Sequence, residues 1–354
     1  MDNRFCPQTW HGRPEKFTRY DVYPWVKKLP VNKNIFCLFW ANWHNKIELP
    51  DGYDYYIISY QIENIDIEWL TQQQKKHKGQ FIVLHPGYSY NFKLDNTTFI
   101  TYTSLHHDLD KMISWWGINP ISTNKKYKFS TICNRITQGK IWVTTKLLET
   151  AREDSLIVLN SWLELKNVHN WQLTGNANLD KLTGTYRTKY QTLELKDDFD
   201  QKIDNIQQRN SNPYQPVYSD CALHFVAGSF HYSQMSDYIW PGPDIDEKTL
   251  KCLIGGVAFV PCAQFETYKF LQDLGLEFNY DFDTSWDQDP GNITRFDSIC
   301  RLIDDLNQYS PKTLVAKTQE STEFNRNFIL DKKFYNNCER LNQQSLDQLF
   351  SLFV

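Results

Sequence analysis

The chain has 354 residues, of which 41% are hydrophobic and 23% charged, and its formal net charge is −4. That length admits two domains of ordinary size or one large one, and the composition is that of a folded globular chain rather than a disordered one. The slightly acidic balance excludes a uniformly basic nucleic-acid binder but leaves room for a local basic face.

None of the eight cysteines forms a C-x-x-C pair or stands at zinc-finger spacing. Several lie inside apolar runs, where a free thiol behaves as a small hydrophobe, so free thiols in a reducing cytoplasm are expected. The first residues lack the apolar core of a signal peptide, and no apolar run reaches membrane-spanning length. No membrane insertion is expected.

In chain order, residues 1–30 show no clear periodicity and read as an N-terminal arm or irregular segment. Apolar runs at 34–41, 54–60, 80–85 and 98–102 read as strands, with helices over 67–78 and 105–116 between and after them. Strands alternating with helices predict a parallel sheet with crossover helices, so residues 31–117 form a first α/β domain. Residues 118–310 form a second, with strands at 125–135, 156–159, 217–225 and 257–261 and helices at 139–153, 244–254, 265–274 and 296–306. Asp297, Asp304 and Asp305 on the last of these read as solvated. The stretch 160–215 is polar and reads as an irregular insertion with a helix near 197–209. Residues 311–354 read as a partly helical tail.

The 243–261 stretch is the most informative. Asp244 followed by Glu247 has capping-box spacing, Leu250, Leu253 and Ile254 recur at helical spacing, and Gly255-Gly256 stops the helix before a buried strand. A charged helix start beside such a strand is where open α/β sheets commonly bind ligands.

Residues 127–306 resemble the C-terminal half of GT-B-type glycosyltransferases, in particular a group from bacteria and tailed phages. The resemblance rests on Ile132-Cys133-Asn134-Arg135 at a strand end and on Asp246-Glu247-Lys248-Thr249-Leu250-Lys251, which matches a (T/D)-E-K-T-x-K pattern. Leu271 to Phe278 matches a further helix-ending block, and the acidic segment Tyr280-Asp281-Phe282-Asp283 with Arg295 follows it. The group's acidic residue before the Glu-Lys block is absent here, since Val226-Ala227-Gly228-Ser229 carries no carboxylate.

The resemblance implies an α/β fold with two Rossmann-like domains facing a cleft, and an enzyme that moves a sugar from a nucleotide-sugar donor to an acceptor hydroxyl. It implies donor binding by Arg135, Glu247, Lys248, Thr249 and Lys251, with Lys248 on the diphosphate and Glu247 on the ribose. The alternative for these two is that Glu247 caps its own helix and Lys248 is a solvated surface charge. The donor is a co-substrate, and no metal or further cofactor is expected. Asp281 and Asp283 form an Asp-x-Asp that reads as a solvated turn, and Gly255-Gly256 lacks the spacing of a phosphate-binding fingerprint.

The catalytic base is expected from the first domain. His44 and His107 are the candidates, with His85, His106 and Asp108 also at or after strand ends, because histidine titrates near neutrality. The acceptor expected is a hydroxylated base of phage DNA, modified in the host cytoplasm. Basic, aromatic stretches at 13–28 and 125–128 speak for it and the net charge against it. A cell-surface glycan acceptor, or a non-catalytic nucleotide-sugar-binding module, is the alternative.

Overall fold

The computed structural model describes residues 5–7, 24–39, 48–59, 67–85, 94–103, 109, 112–113, 122–133, 137–159, 173–191, 193, 195, 216–227, 245–262 and 264–354. The chain forms two compact units: Met1–Ser104, Tyr238–Gly242 and Asn336–Val354 make the first, and Leu105–Asp237 and Pro243–Tyr335 the second. The fold is α/β, with one parallel sheet in each unit.

The first sheet has strands β1 (Phe5–Pro7), β2 (Ile35–Phe39), β3 (Tyr55–Ser59), β4 (Gln80–His85) and β5 (Thr97–Thr101), with helix α1 (Ile67–Lys76) between β3 and β4. Neighbours in space are neighbours in sequence, β1-β2-β3-β4-β5, all parallel. Side chains alternate across it, as a strand's two-residue period requires. Phe36, Leu38, Tyr56, Ile58, Phe81 and Val83 pack with Trp69 and Leu70 of α1. Ile35, Cys37, Ile57, Ile82, Leu84 and Ile100 form the other face.

The face opposite α1 is covered by the β1–β2 connection and by the C-terminus. It receives Trp25, Val26 and Leu29, in and just after the 3₁₀ turn Pro24–Lys28, and Leu349 and Phe353 from the C-terminus. Two expectations change here. The supposed N-terminal arm supplies an edge strand and core residues; a three-residue strand and a five-residue turn are too short to show periodicity. The described strands of this unit also wind in one direction, without the order reversal of a Rossmann-like sheet.

The second unit contains β6 (Tyr127–Cys133), α2 (Gln138–Thr150), β7 (Ser155–Leu159), α3 (Ala177–Thr185), α4 (Pro216–Ser219), β8 (Cys221–Ala227), α5 (Glu247–Gly255), β9 (Ala258–Cys262), α6 (Thr267–Asp273), α7 (Asn292–Asn307), α8 (Pro311–Ala316) and α9 (Gln319–Leu330). The sheet order is β7-β6-β8-β9, all parallel. The chain moves outward from β6 to β7 and then returns to the other side of β6 with β8. That reversal between β6 and β8 opens a crevice at their carboxyl ends, the usual ligand position in open α/β sheets.

Several boundaries differ from the sequence reading. The segment Pro216–Ser219 is a short helix rather than the start of a strand. Proline suits a first helical turn, while the fully buried Val217 and Tyr218 mimic strand composition. Helix α3 and the π-helical turn Tyr186–Tyr190 occupy part of the supposed irregular insertion; Asn176 caps α3 by accepting from Asn178 N and Leu179 N. The helix expected near 197–209, and most of the one at 105–116, lie outside the described residues. Asp297 is buried rather than solvated, accepting from Asn178 and pairing with Arg301.

The last helix, α10 (Lys333–Ser351), belongs to the first unit from Asn336 onward. Asn342 pairs with the backbone of Thr103 just beyond β5, accepting from its N–H at 2.9 Å and donating to its carbonyl at 2.7 Å. The side-chain amide thereby takes the place of a neighbouring strand at the sheet edge. Among the described residues no helix is long and apolar enough to cross a membrane.

Candidate functional site

The site is built where two helix N-termini meet the crevice at the ends of β6 and β8. Helix α5 begins at Asp246, whose Oδ1 accepts from Thr249 N at 2.8 Å and from Thr249 Oγ1 at 2.9 Å. The cap is therefore Asp246. Asp244, expected in that role, lies outside the described residues. Glu247 occupies the first helical position and not the third, so the capping-box role does not fall to it. Gly256 ends the helix in a left-handed conformation with φ 61°.

Lys248 is 8% exposed, with Nζ 2.8 Å from Glu247 Oε1 and 3.6 Å from Asp246 Oδ2. It is not a solvated surface charge. Burial works against its ammonium, but Glu247 and Asp246 hold its pKa above the ordinary lysine range. Glu247 keeps 42% of its side chain exposed. Its partial burial opposes ionisation, yet Lys248 and Lys251 outweigh that and hold the carboxyl well below the ordinary carboxylate range. The Thr249 hydroxyl is committed to the cap. Lys251 lies with Nζ 5.5 Å from the Tyr218 ring centroid. Of the expected donor residues, the structure thus gathers Glu247, Lys248, Thr249 and Lys251 on one helix start. Arg135, His44 and His107, with His106 and Asp108, lie outside the described residues. His85 ends β4 in the first unit and is buried.

The sequence reading missed Lys140. It stands in the first turn of α2, is 5% exposed, and has no hydrogen bond or ion pair among the described residues. Burial pushes its pKa down to about 8; Lys248 adds to the fall, and Cys133, Asp246 and Glu247 oppose it. Those four neighbours place the Lys140 ammonium in the crevice, beside the β6 end and the α5 start. The only signal in the sequence was a lysine soon after a strand end, at a helix start. At the neighbouring Gly139 a Cβ would stand 2.7 Å from the Phe296 ring, so only glycine lets α2 seat this closely against α7. Thr137, the N-cap of α2, makes no side-chain cap hydrogen bond. Backbone N–H groups at such a start, with a buried ammonium beside them, suit an anion.

Beneath α5 lies His224 of β8, fully buried. Ser130 Oγ donates to the Val217 carbonyl at 2.7 Å, so His224 Nδ1–H donates to Ser130 Oγ at 2.8 Å and Nε2 is left bare. Burial, aided by the charges of Lys248 and Lys251, pushes the imidazole pKa down to about 3. A folded-state pKa below the ordinary 6.5 means that the unfolded chain takes up the proton first. The stability from neutral His224 is complete above about pH 6.5 and is lost as pH falls toward 3. Between pH 6.5 and 5 the loss is about 2 kcal/mol. Urea unfolding of wild type and His224→Gln at pH 7 and pH 5 checks this: the variant is expected to show the shallower pH dependence, and equal dependence would show that His224 is not the sensitive group.

Among the described residues no group of three or more His, Cys, Asp or Glu side chains is arranged to hold a metal ion. Asp281 pairs with Lys317 at 2.7 Å, and Asp283 accepts from Ser285 N, which makes the Asp-x-Asp a turn. Comparison of the chain with protein-family models, with curated proteins and with solved structures returns no match.

Proposed function

We propose that the second unit binds a nucleotide sugar and that the protein is a glycosyltransferase, moving the sugar to an acceptor hydroxyl. The observation that carries this reading is the unpaired, buried Lys140 ammonium at the strand-order reversal, next to the Asp246–Glu247–Lys248 cluster. An ammonium held there without a counter-ion is set for a ligand that brings negative charge.

In this reading Lys140 and the first turn of α2 take the diphosphate, and Glu247, with its carboxylate partly exposed, accepts from the ribose hydroxyls. Lys248 is already neutralised by Glu247 and Asp246, so it positions Glu247 more than it supplies free charge. Arg135, at the loop joining β6 to α2, is a further diphosphate ligand in this proposal. The acceptor hydroxyl loses its proton to a base, its oxygen bonds to the anomeric carbon, and the bond to the β-phosphate breaks as the nucleoside diphosphate leaves. The base in this proposal is His44 of the first unit or His107, which falls just past the boundary in the second unit. The two units would then be the halves of a GT-B arrangement, and the nucleotide sugar the only co-substrate called for.

For the acceptor we keep the hydroxylated base of phage DNA, modified in the cytoplasm of the host, ahead of a cell-surface glycan. One observation favours a non-catalytic nucleotide-sugar-binding module: β8 ends in Val226-Ala227, without the carboxylate that the resembling group carries in this segment. Thermal-shift measurements against a panel of nucleotide sugars, followed by transfer assays on DNA bearing 5-hydroxymethylcytosine and on glycans, separate the readings. A raised Tm with transfer is the expected result. A raised Tm without transfer to either acceptor class favours the binding module, and no shift with any nucleotide or nucleotide sugar removes the donor site.

A further inference from the structure

Past the carboxyl end of β9 stands a second group of buried polar atoms, which the diphosphate crevice does not use. Gln264 is 6% exposed, and neither its Oε1 nor its Nε2 has a hydrogen-bond partner. Asp287 is 1% exposed; its Oδ2 accepts from Tyr268 N at 3.1 Å, while Oδ1 has no partner. The backbone holds this turn in place. Glu266 N donates to the Asp287 carbonyl at 2.5 Å, and Thr267 Oγ1 donates to the Gln264 carbonyl at 2.8 Å. Between them Glu266 has φ 59°, a left-handed conformation that non-glycine residues seldom take and that clusters at ligand sites.

A carboxamide buried with both ends bare destabilises a fold that leucine would serve as well. Such a group is explained by a partner that arrives from outside. Position narrows the class of partner. Thr131 of β6 lies in register with Phe225 of β8, and Phe225 with Val260 of β9, so the three strands end side by side. With strands about 4.8 Å apart, Gln264 stands roughly 10 Å along the carboxyl edge from the β6 end and the Lys140 crevice.

We propose that Gln264 reads the nucleobase of the bound nucleotide, with Asp287 holding the turn that presents it; the proposal rests on the diphosphate reading of the crevice. A carboxamide offers one acceptor beside one donor, the complement of a nucleobase edge that carries a donor next to an acceptor. The two polar ends of Gln264 are satisfied only when the base is in place. The diphosphate fixes where the nucleotide sits, and Gln264 decides which nucleotide it is.

Isothermal titration with ADP, GDP, CDP, UDP and inorganic pyrophosphate, on wild type, Gln264→Leu and Gln264→Glu, tests this. One nucleoside diphosphate is expected to bind more tightly than pyrophosphate. Gln264→Leu is expected to weaken it about tenfold to a hundredfold, to leave pyrophosphate unchanged, and not to lower Tm. Gln264→Glu keeps the size and the acceptor but loses the donor; a weakened preferred base with the fold intact supports the same assignment should the leucine variant misfold. Nucleoside diphosphates no tighter than pyrophosphate, or unchanged nucleotide affinity in either folded variant, overturn the base subsite and leave the diphosphate site standing. If neither pyrophosphate nor any nucleoside diphosphate binds wild type, the donor reading falls and this proposal with it.

Discussion

Lys140→Met is expected to weaken nucleoside diphosphate binding by about a hundredfold while making the unliganded protein more stable. The two effects have one cause. A buried ammonium with its pKa near 8 is held charged at neutral pH against a desolvation cost that the free chain does not face. The difference from the ordinary 10.5 amounts to about 3 kcal/mol, relieved when the charge is removed. The same charge, hydrogen-bonded to a phosphate, contributes what a charge-assisted bond contributes, about 1.5–3 kcal/mol.

The pH dependence follows with a definite sign. Below about pH 8 the folded protein carries the penalty; from 8 to 10.5 it sheds the proton that the unfolded chain still holds, so unliganded stability rises across that window. Nucleotide affinity moves the opposite way and falls as pH rises through 8. Urea unfolding at pH 7 and pH 10, with titration of a nucleoside diphosphate at pH 7 and pH 9, checks both arms. A Lys140→Met protein that is less stable than wild type, or binds nucleotide equally well, would show that Lys140 is a packing residue. Lys248→Met is the contrast: it strips the partner from Glu247 and Asp246 and is expected to lower Tm.

Removing residues 336–354 is expected to unfold the first unit. The sheet face opposite α1 is covered in part by the end of α10 and the residues after it. Leu349 is fully buried against Ile35, Ile57 and their neighbours, Phe353 lies edge-on to Tyr55 at 4.8 Å, and Asn342 closes the sheet edge at Thr103. Leu349→Ala alone is expected to cost about 2–5 kcal/mol and Phe353→Ala about 3–5 kcal/mol. Because the two sites share one cluster, their sum is not strictly additive. Against a domain stability of about 5–15 kcal/mol, loss of the whole segment leaves little or nothing. Hydrogen exchange followed by mass spectrometry reads the effect strand by strand. Loss of protection in β2 to β5 with β8 still protected is the expected pattern, and unchanged protection in β2 to β5 would refute the role given to the C-terminus.

The elements legible in the sequence were those whose signal is local. Strand β4 reads directly from the run Phe81 to Leu84 after Gly79, and α5 from its acidic start, its spaced leucines and Gly256. What escaped depends on distant partners. Strand order is set by pairing between segments far apart, so the single direction of the first sheet and the reversal in the second are not written in any one stretch. Trp25 and Leu349 meet from opposite ends of the chain.

The candidate site divides in the same way. The Glu-Lys pair stood out because its spacing at a helix start is recognisable, but the sequence left open whether its charge was solvated or buried. Only the packing of α5 shows Lys248 spent on Glu247 and Asp246. Lys140 was passed over because a lysine in a first helical turn is ordinary; it becomes notable only once the fold buries it without a partner among the described residues. His224 carried no signal within the 217–225 strand, since its partner Ser130 lies 94 residues away.

The most direct test of the account is a crystal structure of the protein with a nucleoside diphosphate or nucleotide sugar bound. The account predicts the two phosphates at the α2 start, within hydrogen-bond distance of Lys140 Nζ, with the ribose hydroxyls toward Glu247. A nucleotide bound elsewhere, with the Lys140 crevice unchanged, would contradict it.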